Sequence, residues 1–242
     1  MSAEFLYGIN TAEEILTAGR RRVLRLYISR GEGSQRVRDV IGLARKAGVP
    51  VDFCDPRTLE KLAGGGHHQG VLVEADPPAK VDLDEALALE KDLKKTVWAA
   101  LDGITDPMNL GAIIRSAACL GVSTVILPER RSAGLTPTAQ KAASGAVERI
   151  NVIEVVNLNQ TILKLKEKGF WVYGMDMGGK PLPKVDFTLP AFIIIGSEGD
   201  GLHAKTREHC DEIVSIPQKG GVESLNASNA AAVVFYELSK KI

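Results

Sequence analysis

The chain has 242 residues, 45% of them hydrophobic and 25% charged, with 30 basic and 30 acidic side chains and no formal net charge. That balance excludes a disordered polyelectrolyte, and the longest purely apolar run, Ala230–Tyr236, falls well short of the about 20 residues of a membrane-spanning helix. Three distant cysteines (Cys54, Cys119, Cys210) without a CxxC pair exclude a zinc ribbon or disulfide framework. With no basic stretch and apolar core at its start, the chain is expected to be cytoplasmic, free of membrane and metal.

Residues 1–50 carry nine Lys/Arg against five acids, about +4, with a matching −4 in the remainder. Eight of the nine are arginine, which grips phosphate bidentately and stacks on bases; a solvated helix face is the other reading. Asn10-Thr11-Ala12-Glu13-Glu14 ahead of Ile15 and Leu16 predicts a helix start. Val23–Ile28 reads as a strand, and Val37–Ala47 as a helix stopped by Gly48. Val49–Phe53 is a second strand, Leu59–Ala63 a brief helix, Gly64–Gly70 a loop and Val71–Glu74 a third strand. These elements make a small α/β domain over residues 1–76.

Asp76-Pro77-Pro78-Ala79-Lys80 breaks any element and marks a boundary, and residues 77–95 are expected to join the two domains, with 81–95 reading as a charged helix or linker of mixed signs. The domain at 96–242 alternates apolar strands with helices. Strands are expected at 97–101, 123–127, 151–155, 170–175, 191–195 and 212–216. Helices are expected at about 109–120, 136–144, 158–168, 203–209 and 225–240. Near-continuous apolar strands between helices predict a parallel sheet covered on both faces, with Trp98 and Trp171 in its core. The fold class is α/β.

Three clusters carry candidate chemistry. Asp102–Ser116 leaves a strand and enters a helix, the usual position of ligands in open α/β sheets. Its Asn109 and Arg115, six residues apart, either share a helix face or are a capped helix start and a surface arginine. Gly196-Ser197-Glu198-Gly199-Asp200-Gly201-Leu202 follows a buried strand. Its glycines admit close backbone approach or simply make a tight turn. It satisfies neither the dinucleotide fingerprint nor the P-loop. Ile216–Ala232 joins a strand end and glycine loop to Ser224-Leu225-Asn226-Ala227-Ser228, where Ser224 or Asn226 alternatively just caps the last helix.

Taken together and in order, Asn109-Leu-Gly-Ala-Ile-Ile-Arg115-Ser116, Gly196-Ser-Glu-Gly-x-Gly-Leu202 and Ile216-Pro217 with Ser224-Leu-Asn-x-Ser228 resemble the three motifs of the SpoU/TrmH-type RNA ribose 2′-O-methyltransferases of the SPOUT superfamily. The resemblance covers about residues 96–242. Leu6-Tyr7-Gly8-Ile9-Asn10 and His68-Gln69-Gly70-Val71 resemble the family's L30e-like substrate-binding domain. With that domain included, the chain is most similar to the bacterial 23S rRNA guanosine 2′-O-methyltransferases. Asn229 departs from the pattern, standing where members often carry an apolar residue.

The resemblance implies a deep trefoil knot in the parallel-sheet domain, a rare exception to ordinary chain connections. It implies S-adenosyl-L-methionine as cofactor, lined by Gly196, Ile216 and Leu225 with Gly174 and Met175 at the edge. Arg115 would activate the ribose, either as a desolvated base or as a phosphate anchor. Asn109, Glu198, Ser224 and Asn226 would orient it and the substrate. Arg20, Arg21, Arg22 and the Gly64–Gly70 loop with His68 are the expected RNA contacts, although His67 and His68 read more readily as solvated loop residues. A homodimer through the knotted domain is expected. The competing expectations are the same chemistry on tRNA or a resistance-related rRNA site, or a catalytically silent RNA-binding ribosome-assembly factor.

Overall fold

A computed structural model describes residues 3–31, 33–65, 68–197, 199, 201–221 and 224–242. The chain forms two compact units, Met1–Lys80 with Leu135–Arg149, and Val81–Gly134 with Ile150–Ile242.

The first unit opens with β1 (Glu4–Tyr7), α1 (Ile9–Ala18), β2 (Val23–Ser29), α2 (Gln35–Lys46), β3 (Val51–Cys54), α3 (Pro56–Leu62) and β4 (Val71–Ala75). The sheet order is β1-β4-β2-β3, with β4 antiparallel to both neighbours and β2 parallel to β3. Side chains alternate across a strand, so β4 sends Val71, Val73 and Ala75 into one core with Ala12, Ile15, Val37 and Val40. Leu72 points the other way, against Tyr7, Leu59 and Ala63. Helices therefore cover both faces. Helix α1 starts one residue before Asn10, capped by Gly8 at φ +105°, a conformation that suits glycine. Asn10 instead accepts a bond from Arg36.

The second unit begins with α4 (Leu83–Leu89), so the stretch that reads as a charged helix or linker is helical over these residues. Asp82 and Glu85 form a capping box at its start. Ala86 is buried in the main core, with Leu83 and Leu87 packed against it, so the charges that suggest a linker lie on the outer face. Then follow β5 (Val97–Asp102), α5 (Pro107–Cys119) and β6 (Thr124–Pro128). The next helix, α6 (Pro137–Ala142), packs with the first unit, as the unit boundaries show. The chain continues with β7 (Asn151–Val155), α7 (Leu158–Glu167), β8 (Trp171–Pro181), β9 (Ala191–Gly196), α8 (Ala204–His209), β10 (Glu212–Ser215) and α9 (Ala227–Ser239). All six strands are parallel, in the order β10-β8-β9-β5-β6-β7, and the central β5 and β9 are buried throughout. No helix among the described residues is long and apolar enough to cross a membrane.

Two details depart from expectation. Strand β8 runs six residues further than the apolar pattern indicates, because its pairing with β10 jumps from Gly174 to Lys180. Trp98 is fully buried and donates to Glu90 at 2.7 Å, whereas Trp171, at the first position of β8, is 42% exposed rather than core.

Candidate active site

The carboxyl ends of β5 and β9 lie side by side and next to the middle of β8, with Asp102 opposite Gly196 and Ile195 opposite Met175. Ligands of open parallel sheets bind at such an edge. Asp102 is buried and holds the loop after β9 from below. It accepts from the His203 backbone N–H at 3.0 Å and from His203 Nδ1 at 2.8 Å. A carboxylate acceptor puts the imidazole proton on Nδ1. Within the loop, Ser197 and Gly201 exchange backbone bonds of 3.0 and 3.2 Å. Gly201 sits against Asp176, which pairs with Arg207. The glycine-rich turn is thus held by the last residue of β5 and by a side chain from the middle of β8. A Cβ on Gly196 would lie 2.4 Å from the Gly201 carbonyl carbon, so only glycine permits this closure.

Helix α5 starts where Asp106 accepts from the N–H groups of Met108 and Asn109 at 3.1 and 3.2 Å, with Pro107 in the first turn. Asn109 and Arg115 both lie on it. Six residues turn an α-helix by about 600°, leaving their directions roughly 120° apart, so they do not share a narrow face. Arg115 is exposed and Asn109 half-buried. Helix α9 packs on α5 and β9 and is capped by Asn226, whose Oδ1 accepts from Ser228 N at 2.9 Å. The Asn226 amide donates to Asn109 Oδ1 at 2.9 Å. The first and third motifs, 117 residues apart, therefore meet through their asparagines.

Ser224 is exposed just before the cap, and Leu225 keeps 37% of its surface accessible beside it. Ile216 is half-buried, immediately after β10. Met175 is buried at the end of the apolar stretch of β8. The space at Gly174 is filled by Leu202, Cys210 and Ile213, so that glycine serves packing within the unit. Glu198 lies outside the described residues, as does His67. Asn229 is exposed on α9, which accounts for a polar residue there. Sequence reasoning missed Asp102 and His203. The available signal was a carboxylate ending an otherwise apolar strand, since a buried charge needs partners.

The expected RNA contacts divide. Arg20 and Arg22 are exposed. Arg21 is not available: its side chain is 1% exposed and bonds Glu148, itself 3% exposed, at 2.5 Å. Glu4 lies 3.5 Å away and Gln140 accepts at 3.3 Å. Burial and pairing make Arg21 an internal tie between the start of the chain and residues 135–149. His68 is also internally engaged, accepting from Gly70 N at Nδ1 (3.0 Å) and meeting Glu60 through Nε2 (3.1 Å). Both ring nitrogens are taken. Among the described residues, no group of three His, Cys, Asp or Glu is arranged to hold a metal ion.

Residues 96–236 match the family model of the SpoU rRNA methylases, and residues 5–81 match that of the RNA 2′-O ribose methyltransferase substrate-binding domain. The chain belongs to the SpoU rRNA methylase family. It is 39% identical over 241 residues to the 23S rRNA (guanosine-2′-O-)-methyltransferase RlmB of Acinetobacter baylyi, covering 98% of this chain and 97% of that one. The protein of the same name from Neisseria meningitidis is 39% identical, covering 98% and 94%. Among solved structures, the SpoU methyltransferase AviRb from Streptomyces viridochromogenes in complex with AdoMet superposes with a TM-score of 0.82 at 26% identity, over 99% of this chain and 90% of that one.

Proposed function

We propose that this protein transfers a methyl group from S-adenosyl-L-methionine to the 2′-oxygen of a guanosine ribose in 23S rRNA. The observation that carries the reading is the Asn109–Asn226 bond, which joins two motifs at the carboxyl edge of a parallel sheet. The names of the 39%-identical relatives supply the substrate. The residues suit the cofactor: Leu225 leaves an apolar surface for a purine, and the backbone around Gly220 and Gly221 is open on its side-chain side. Gly196, Ile216 and Leu225 would hold it, with Met175 at the edge. When bound, it supplies an electrophilic methyl on a sulfonium.

The chain's task is to present the ribose oxygen in line with that methyl and to help it lose its proton, because a neutral hydroxyl is a poor nucleophile. Arg115 is exposed on α5, and its planar guanidinium presents a fork of donors that matches phosphate geometry. It acts as an anchor for the phosphate beside the target ribose and stabilises the developing alkoxide, rather than as a base. Asn109 and Asn226 fix the two helix starts, and Ser224 and Glu198 complete the polar set that orients the nucleotide. The C-terminal segment, whose α9 packs on α5 and β9, closes the cofactor site, and the knot that the family resemblance implies would thread it there. The first unit, L30e-like in its mixed sheet with helices on both faces, holds the RNA with Arg20 and Arg22. The working form is a cytoplasmic homodimer.

The experiment is Arg115→Ala. Methyl transfer to 23S rRNA should fall by at least a hundredfold, while calorimetric affinity for S-adenosyl-L-methionine stays within a few-fold. Near-normal turnover would overturn the role given to Arg115.

A further inference from the structure

Lys141 lies on α6, in the part of the chain that the sequence pattern assigns to the catalytic domain, yet it packs in the first unit. Its ammonium donates to Gln69 Oε1 at 2.9 Å and stands 5.8 Å from the centre of the Tyr7 ring. A Cβ on Gly8 would lie 2.0 Å from Lys141 Nζ and 3.2 Å from Gln69 Oε1. Gly8 N donates to Val71 O at 3.0 Å, drawing the two loops together. Three segments remote in sequence thus converge: the Tyr7-Gly8 turn, the Gln69-Gly70 loop and α6. The absent side chain of Gly8 is what leaves room for the ammonium.

The cluster has an unbalanced charge. Among the described residues the ammonium has a neutral amide and an aromatic face as partners, and no carboxylate. Burial alone acts on it and holds it below the usual lysine range. A lysine serving only the fold would gain by pairing with an acid, as Arg21 does in the same unit. Lys141 and Gln69 remain reachable from solvent, Lys141 half-buried and Gln69 exposed.

We propose that Lys141, Gln69 and the Gly8 turn form a binding site for a phosphate of the RNA backbone. This rests on the proposed RNA substrate. The phosphate oxygens would receive the ammonium and complete a charge left open, and the Gln69 amide nitrogen would supply a second donor. The site lies in the segment that matches the substrate-binding family model, joined by one helix from outside it. That helix makes RNA recognition depend on residues 135–149.

The test uses the full chain and a 23S rRNA transcript, with affinity measured across a salt series. Lys141→Met should weaken binding three- to tenfold at low salt and reduce the slope of log K against log salt by about 0.7 to 0.9, the loss of one phosphate contact. Its melting temperature should stay unchanged or rise, because an uncompensated desolvated charge has been removed. Lys141→Arg should restore the slope, and the exposed Lys94→Gln in the second unit should leave it alone. An unchanged slope and affinity in Lys141→Met would overturn the site, as would a fall in melting temperature accompanied by a proportionate loss of binding. Wild-type protein that binds the transcript but transfers no methyl would overturn the proposed activity and leave this site standing.

Discussion

Arg21 offers a quantitative test of which arginines serve the fold and which serve RNA. Its side chain and that of Glu148 are 1% and 3% exposed, in contact at 2.5 Å, with Glu4 and Gln140 closing the network. Arg21→Met keeps most of the aliphatic volume, so cavity formation contributes little. It leaves Glu148 as a buried carboxylate without its cation, and breaking a buried pair in this way costs about 3–5 kcal/mol. That is a large share of the roughly 5–15 kcal/mol that stabilises a typical domain. Glu4, 29% exposed, can rehydrate and adds little. The double variant Arg21→Met/Glu148→Leu removes both charges and should recover most of the loss, since a matched apolar pair is often neutral or better. Urea unfolding by circular dichroism gives the magnitudes, and hydrogen exchange should locate lost protection in residues 1–30 and 135–149. A single-variant cost below about 1 kcal/mol, or a double variant no better than the single, would refute the reasoning.

Three further outcomes follow from the site. Asn226→Ala removes a helix cap and the bond to Asn109, so stability should drop by about 1 kcal/mol while kcat/KM falls by a much larger factor, read from denaturation and methyl-transfer kinetics. Gly196→Ala places a Cβ 2.4 Å from the Gly201 backbone, too close to relax; calorimetry should show cofactor affinity lost even where the protein remains folded. Burial pushes the Cys210 thiol up to about 12, so it stays protonated as pH rises until near that value. Iodoacetamide at pH 8.5 should label the exposed Cys119 and spare Cys210, counted by peptide mass spectrometry.

The parallel sheet was readable because β9 and, up to its final Asp102, β5 are near-continuous apolar runs, as strands buried on both faces tend to be. The three motif clusters likewise pointed to one strand edge, and the Asn109–Asn226 bond brings two of them together. Other features turn on pairings that no local pattern carries. Arg21 and Glu148 are 127 residues apart, and each alone looks like an ordinary surface charge. Residues 81–89 combine scattered acids with apolar positions that only the packed core reveals as a buried face. Trp171 illustrates the opposite error: a strand's first residue at the sheet's amino edge is left open to solvent despite its size. The Asp102–His203 latch escaped because the histidine lies beyond a glycine turn whose path the spacing does not reveal.

The most direct test is to incubate the full chain with S-adenosyl-L-methionine labelled in its methyl group and total RNA lacking the modification, then digest the RNA to nucleosides. The account predicts label in 2′-O-methylguanosine from 23S rRNA, saturating near one methyl per molecule and absent with Arg115→Ala. Label confined to tRNA, carried on a base, or undiminished in Arg115→Ala would contradict it.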